Sequence, residues 1–416
     1  MKKRVVMPMP ITPEDFGSKG VSPGSCGLYT AIGEVNLIAS IRAAGELQSR
    51  GTYGAGVMIK GIYPENKNLY ALHVMYLNRQ IAAELEPLIT EHKIGLRHIG
   101  EMEPLVKPKM YRKYSLPELR RYFVDNPTPD EMMCREHTDD PNTYVRRLVE
   151  EFNTCNRGRA RIFSSGKNIG TFVSASDLNT TMEAYDLKQY ADYNVGAVMI
   201  HMRWPTSIVN SGVWWGIHPI GFLNSNIIHN GDLSSSPSNA QGIEAAGIKS
   251  MVGTDSESIL LELDNLFVKR NFAYQQIEWA MCQMFPQEEE QLSEDTRMKY
   301  QKIVKLNPTL ARYKMSGPSS FVAIIRKGGM AHVISGRDRD GLRQLWMGRS
   351  SDGKSVIWSS EEKCIYQTAF LTGKEYKAIN CEPGKITVFE LKENGEIKGA
   401  FGDTLEELEL KNHSVV

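Results

Sequence analysis

Regular alternation of apolar and polar positions begins at Cys26. Val35 to Gln48 places Leu37, Ile38, Ile41, Ala44 and Leu47 at helical spacing, which predicts an amphipathic helix. Arg50-Gly51 breaks that period, and the apolar run from Ala55 to Ile62 predicts a strand. With extended backbone after Cys26, the opening reads strand, helix, strand. Ahead of it, residues 1 to 25 carry four prolines, three glycines and no period, and read as an irregular leader.

Residues 64 to 195 are less orderly and read as an insertion or subdomain on a sheet scaffold. Ile81 to His92 has helical spacing apart from Pro87, and Lys107 to Asn126 is rich in charge, Tyr and Pro. Asn142 to Thr154 predicts a helix, with Asp140 as cap and Pro141 in the first turn. Ala160 to Val173 and Asn194 to Met202 read as strands. Further on, Val195 to Met202 has the composition of a buried strand, Ile217 to Leu223 and Ile227-Ile228 read as short strands, and Asn239 to Gly247 as a helix. Asp255-Ser256-Glu257-Ser258 predicts the start of a long helix reaching Phe285, with Ile259, Leu260, Leu263 and Leu266 on its period. Strands then follow at Ser320–Arg326, Ala331–Gly336, Gln344–Gly348, Ser355–Ser359 and Lys385–Leu391, and residues 393 to 416 are a short polar tail. Strands early and late with helices between them predict two stacked, largely antiparallel sheets flanked by helices.

Composition narrows the partners. Lys plus Arg equals Asp plus Glu at 49 each over 416 residues, so no global field draws the chain to nucleic acid or membrane. Six scattered cysteines, at 26, 134, 155, 282, 364 and 381, form no Cys-x-x-Cys pair and no zinc or iron–sulfur spacing. A reducing, cytoplasmic setting is expected. The basic start Met1-Lys2-Lys3-Arg4 is followed by too short an apolar run for a signal peptide, and no apolar stretch is long enough to span a membrane.

Four places carry candidate chemistry. Cys26 is either an inert small residue or a nucleophile, and a nucleophilic thiol needs a base; its own α-amine would serve if the Ser25–Cys26 bond were cut. In His229-Asn230-Gly231-Asp232, the Asn230 amide and the Gly231 N–H either aim at one oxyanion or make a hairpin turn. In Arg203-Trp204-Pro205-Thr206, Arg203 leaves a strand end, to clamp a carboxylate or to make a surface salt bridge. Asp255 is either a helix cap or an anion for a substrate ammonium. Together these roles suit recognition of an α-amino acid and attack on its side-chain carbonyl.

These residues, in this order, resemble the class II glutamine amidotransferases of the N-terminal nucleophile hydrolase superfamily. The resemblance takes in Cys26-Gly27, Leu47 to Gly51 running into Tyr53 to Gly56, Arg203 to Thr206, His218-Pro219, His229 to Gly231 and Thr254 to Glu257. It continues through Arg337 to Arg343, Ser359 to Glu361 and Pro383 to Lys385. Ser165 to Gly170 and Trp214 to Pro219 are similar to the free-standing glutaminase subunit of glutamate synthase. What the resemblance implies is an α+β, four-layer α/β/β/α fold over residues 26 to 392, with Cys26 as nucleophile. Asn230 and Gly231 would form the oxyanion hole, and Arg203, Thr206 and Asp255 would bind L-glutamine. His229 would shape its turn, and Arg337 to Arg343 would support the fold. No cofactor is implied in this chain; FMN and an iron–sulfur cluster are expected on a synthase-type partner receiving ammonia, in a hetero-oligomer. Residues 1 to 25 would be a removed leader; retained, they would imply an inactive structural or regulatory subunit.

Overall fold

The computed structural model describes residues 25–107, 109–110, 116–193, 195–204 and 216–402. Its first half contains β1 (Gly27–Val35), β2 (Ala55–Lys60), β3 (Tyr70–Tyr76), β4 (His98–Pro104), β5 (Glu118–Val124), β6 (Ala160–Ser164), β7 (Ile169–Ser174) and β8 (Val195–Met202). Its second half contains β9 (Ile220–Phe222), β10 (Ser225–Gly231), β11 (Ser319–Lys327), β12 (Met330–Arg337), β13 (Trp346–Ser350), β14 (Ser355–Ser359), β15 (Tyr376–Asn380), β16 (Ile386–Leu391) and β17 (Ile397–Phe401).

Three antiparallel sheets result: a seven-stranded one in the order β15-β13-β14-β1-β8-β2-β7, a six-stranded one in the order β17-β16-β12-β11-β10-β9, and a four-stranded one in the order β4-β5-β3-β6. The fold is mixed helix and sheet, and its faces follow strand alternation. On the seven-stranded sheet Tyr29, Ala31, Val57, Ile59, Val198 and Ile200 cluster with Leu37, Ile41, Leu178 and Ile365 of three helices. The alternate residues Leu28, Ile32, Met58, Ala197 and Met199 instead cluster with Ile228, Val322 and Val333 of the six-stranded sheet. The other side of that sheet, with Ile227, Phe321 and Ile334, meets Ile243, Leu260, Leu263 and Ile277. A one-residue register slip in β8 would swing His201 and Arg203 out of the space between the sheets, so burial fixes where they point.

Residues 64 to 195 divide in two. β3 to β6 make the four-stranded sheet, whose Leu72, Val74 and Tyr122 pack with Leu85, Val145, Leu148 and Phe152 of its helices. β7 and β8 belong to the seven-stranded sheet. The run from Ala160 to Val173 is therefore two strands, separated by a turn with Asn168 at φ 51°. The long helix expected from Asp255 to Phe285 is also broken. It is α-helical over Asp255–Leu263, widens to a π-helical turn over Asp264–Lys269, and restarts as Tyr274–Met281. Asn271 at φ 55° reverses the chain, and Phe267 packs edge-on to His332 with ring centroids 4.7 Å apart. Among the described residues no helix is long and apolar enough to cross a membrane.

Candidate active site

Cys26 immediately precedes β1. In the β1–β8 ladder Gly27 pairs with Met202 and Leu28 with His201, so Cys26 lies level with Arg203. Close packing demands glycine beside it, since a Cβ on Gly27 would come within 2.8 Å of Leu47 Cβ. The sulfur meets the backbone of Trp204: Trp204 N–H donates to Sγ at 3.3 Å, and the thiol faces Trp204 O at 3.5 Å. Arg50 braces Ser25 and Cys26. Its Nε donates to Cys26 O at 3.1 Å, its Nη2 to Ser25 Oγ at 2.6 Å and its Nη1 to Glu361 Oε1 at 2.9 Å, while Ser25 N–H donates to Arg50 O at 3.2 Å. Burial pushes the Cys26 thiol above its ordinary value; the Trp204 N–H, Arg203 and Arg343 act against this, and Asp255 adds to it.

Arg203 is buried at the end of β8, which excludes the surface salt bridge. Its N–H donates to Gly54 O at 2.7 Å, and Tyr53 N–H donates to Arg203 O at 3.1 Å, so the Tyr53-Gly54 segment leading into β2 holds its backbone on both sides. Burial lowers the Arg203 pKa from its ordinary value, while Cys26 and Asp255 raise it. His201, two residues earlier on the same face, donates from Nε2 to His229 O at 2.8 Å and ties β8 to β10 beside the site. That bond places the His201 proton on Nε2. His218 stacks on His201 with ring centroids 4.3 Å apart, over Gly56, where a Cβ would lie 2.0 Å from His218 O.

Asn230-Gly231 is not a hairpin turn. Asn230 pairs with Ser320 and Gly231 with Ser319 inside the β10–β11 ladder. Asn230 is 1% exposed, and its Nδ2 has no hydrogen-bond partner among the described residues. A buried amide nitrogen left unpartnered costs about 1–3 kcal/mol, and such costs persist where a ligand later supplies the acceptor. By strand alternation Asn230 shares the inter-sheet side with Ile228, whereas His229 points to the helices. His229 hydrogen-bonds Ser256 Oγ through Nδ1 and Ser319 Oγ through Nε2, both at 3.0 Å, so neither ring nitrogen is spare for proton transfer.

Thr254, not Asp255, caps the helix, its Oγ1 accepting from Glu257 N–H at 3.2 Å. Asp255 stands in the first turn, its Oδ2 accepting from Leu233 N–H at 3.1 Å and its Oδ1 from Ser256 N–H at 2.8 Å. Glu257 gathers the preceding loop, accepting from the N–H groups of Met251 at 2.7 Å, Val252 at 2.8 Å and Gly253 at 2.8 Å. The helix end that presents Asp255 is thus held from three directions. Cys26 lies level with Arg203 on the adjoining strand, and Asp255 Oδ1 lies 3.8 Å from Nδ1 of His229, the residue whose backbone oxygen is tied to His201. Thr206 lies outside the described residues. Sequence reasoning missed His201, a period of two before Arg203 on the same strand face; it read Arg50 and Glu257 only as parts of motifs, and Arg343 as fold support. Among the described residues no group of three or more His, Cys, Asp or Glu could hold a metal ion.

No family model matches the chain. A protein of Archaeoglobus fulgidus described as an uncharacterized protein is 31% identical over 257 residues, covering 59% of this chain and 64% of its own length. Among solved structures, the glutamine phosphoribosylpyrophosphate amidotransferase from B. subtilis complexed with ADP and GMP aligns over 90% of this chain and 49% of its own, at 13% identity and a TM-score of 0.39. A glutamine aminotransferase class-II domain protein from Silicibacter pomeroyi aligns over 52% of this chain and 78% of its own, at 12% identity and a TM-score of 0.28. At such scores the fold stands on its own strands and packing.

Proposed function

We propose that this chain is a class II glutamine amidotransferase of the N-terminal nucleophile kind, hydrolysing L-glutamine to glutamate and ammonia at Cys26. The two sheets and their outer helices are read as its α/β/β/α layers. The observation that carries the reading is the pairing of Cys26 with Arg203 where β1 meets β8, with Asp255 beside His229 and, on the strand tied to β8, an Asn230 Nδ2 that has no partner among the described residues. Arg203 binds the α-carboxylate, Asp255 the α-ammonium, and Thr206 assists. The sulfur attacks the side-chain carbonyl carbon: a C–S bond forms, and negative charge moves to the oxygen, held by Asn230 Nδ2 and Gly231 N–H. Each such donor contributes about 3 kcal/mol in comparable sites. Collapse breaks the C–N bond, the nitrogen leaves as ammonia with the thiol proton, and water splits the thioester to glutamate.

The base is the α-amine of Cys26. Among the described residues the hydrogen-bond partners of Sγ are backbone atoms of Trp204, and no side-chain base reaches it. Cutting the Ser25–Cys26 bond supplies an amine titrating near pH ~8. The ammonia goes to a synthase-type partner subunit, related to glutamate synthase or to the enzyme making N-methylglutamate, which would carry the FMN and iron–sulfur cluster. A second reading, an uncut structural or regulatory subunit of such a complex, is favoured by the Arg50 clamp on Ser25 and Cys26 and by the burial that keeps the thiol protonated.

Intact mass and glutamate release, measured on chain purified from its own cells, separate the two. A terminus at Cys26 with glutamate release that Cys26→Ala abolishes supports the first reading. A retained leader, no release at any pH and full partner activity with Cys26→Ala establishes the second.

A further inference from the structure

Between the two larger sheets one side chain reaches from the strand of Arg203 to the strand of Asn230. His201 is buried in β8, paired with Leu28 of β1 on one side and with Gly56 of β2 on the other, so its backbone is fixed within the seven-stranded sheet. Strand alternation turns its ring toward the six-stranded sheet, on the face that carries Leu28 and Met199. His218 stacks on the ring with centroids 4.3 Å apart and holds its plane. Nε2–H donates to His229 O at 2.8 Å, and Nδ1 has no partner among the described residues, so this is the ring's one hydrogen bond there.

The bond falls on a stretch that needs it. β9 covers β10 only from Ser225 to Ile227, which leaves Ile228 to Gly231 with a strand partner on the β11 side alone. Backbone groups on an uncovered strand edge need partners from elsewhere. His229 O belongs to the peptide that contains Asn230 N and ends at Asn230 Cα, and that peptide is planar. Holding the oxygen therefore holds the Cα from which the Asn230 side chain springs. From the helix side the His229 ring, bonded to Ser256 and Ser319, steadies the same peptide. A link serving only to join the sheets could lie anywhere along them. This one lies at the peptide before Asn230 and, on the other strand, two residues before Arg203.

We propose that His201 is a positioning residue for Asn230, its Nε2–H setting the His229–Asn230 peptide and so the direction of the Asn230 amide relative to the strand that carries Arg203. Its catalytic consequence rests on the amidotransferase reading; its hold on the peptide does not. The two are tested apart.

His201→Phe keeps a ring in place and removes the bond. It is expected to lower kcat for glutamine hydrolysis about tenfold to a hundredfold with KM unchanged. His201→Gln, whose amide nitrogen reaches as far as Nε2, restores most of the loss. On an Asn230→Ala background His201→Phe should cost less than about twofold more, because a residue acting through Asn230 then has nothing left to position. His201→Asn, polar but too short to reach His229 O, serves if the phenylalanine variant does not fold. An unchanged kcat in a folded variant overturns the proposal. So does a loss carried by KM, or a full second loss on the Asn230→Ala background. If the parent chain releases no glutamate, the amidotransferase reading fails, and amide hydrogen exchange at Asn230 and Gly231, followed by NMR, decides on His201. Exchange that is faster in His201→Phe and restored in His201→Gln supports the proposal; unaltered exchange overturns it.

Discussion

Asn230 carries an amide nitrogen without a partner among the described residues, at a position where strand pairing and burial leave it no freedom to seek water. Such a group adds little to stability and is well placed to meet charge that appears only during reaction. Asn230→Ala should therefore lower kcat by about a hundredfold to a thousandfold. KM for glutamine and the melting temperature should stay nearly unchanged. Steady-state kinetics with a thermal melt checks this; an unaltered kcat would remove Asn230 from the oxyanion site. Part of this was legible in the residues themselves, because an Asn-Gly pair after an apolar run has two readings. The strand partners Ser319 and Ser320 choose between them, and they lie some ninety positions away in sequence. No local pattern could supply that contact.

At the level of elements, a continuous apolar run was the most legible signal, although β3, buried at every position, went unforeseen. β8 is apolar enough to declare itself, β10 showed only at Ile227-Ile228, and the helix Leu37–Gly45 shows its period plainly, ending nearer its Asn36 cap than the hydrophobic run suggests. What failed was continuity. Asp255 to Phe285 has helical composition throughout, but packing of Phe267 against His332 and the left-handed Asn271 outweigh propensity and break it in three. β4, β15 and β17, with outer faces half-buried or exposed, lack a strong alternation and were not foreseen. The four-stranded sheet escaped for a related reason, since its strands are separated by polar, proline-bearing stretches. The helix start presenting Asp255 was recognised, but the capping role belongs to Thr254, which frees the Asp255 carboxylate for the loop at Leu233.

For the whole molecule, four of the five buried imidazoles among the described residues, with His332 acting in the same direction, set the response to acid. Burial holds His73 and His201 down to about 3, places His218 well below its ordinary value and lowers His229. All four are therefore neutral in the folded chain, whereas they titrate near ~6.5 when unfolded. Below that pH the unfolded chain binds protons that the folded chain refuses. Stability is full above about pH 6.5 and is lost as pH falls toward 3, by up to ~1.4 kcal/mol per pH unit for each histidine. Glu262, kept neutral by burial, pulls the other way: its contribution is full at low pH and is lost as pH rises above ~4.5. One carboxyl does not offset four imidazoles. Urea midpoints should fall steeply from pH 7.5 to pH 5, and equal midpoints at those two values would contradict the neutral assignment.

The claim that Cys26 attacks the side-chain carbonyl of glutamine is tested most directly by covalent capture. Chain purified from its own cells is incubated with a glutamine analogue bearing a diazoketone in place of the side-chain amide, and adducts are mapped by peptide mass spectrometry. A single adduct on Cys26, suppressed by excess L-glutamine and lost in Arg203→Gln, is the predicted result. No adduct on Cys26, or labelling that merely follows exposure and marks Cys134 and Cys155 equally, would contradict it.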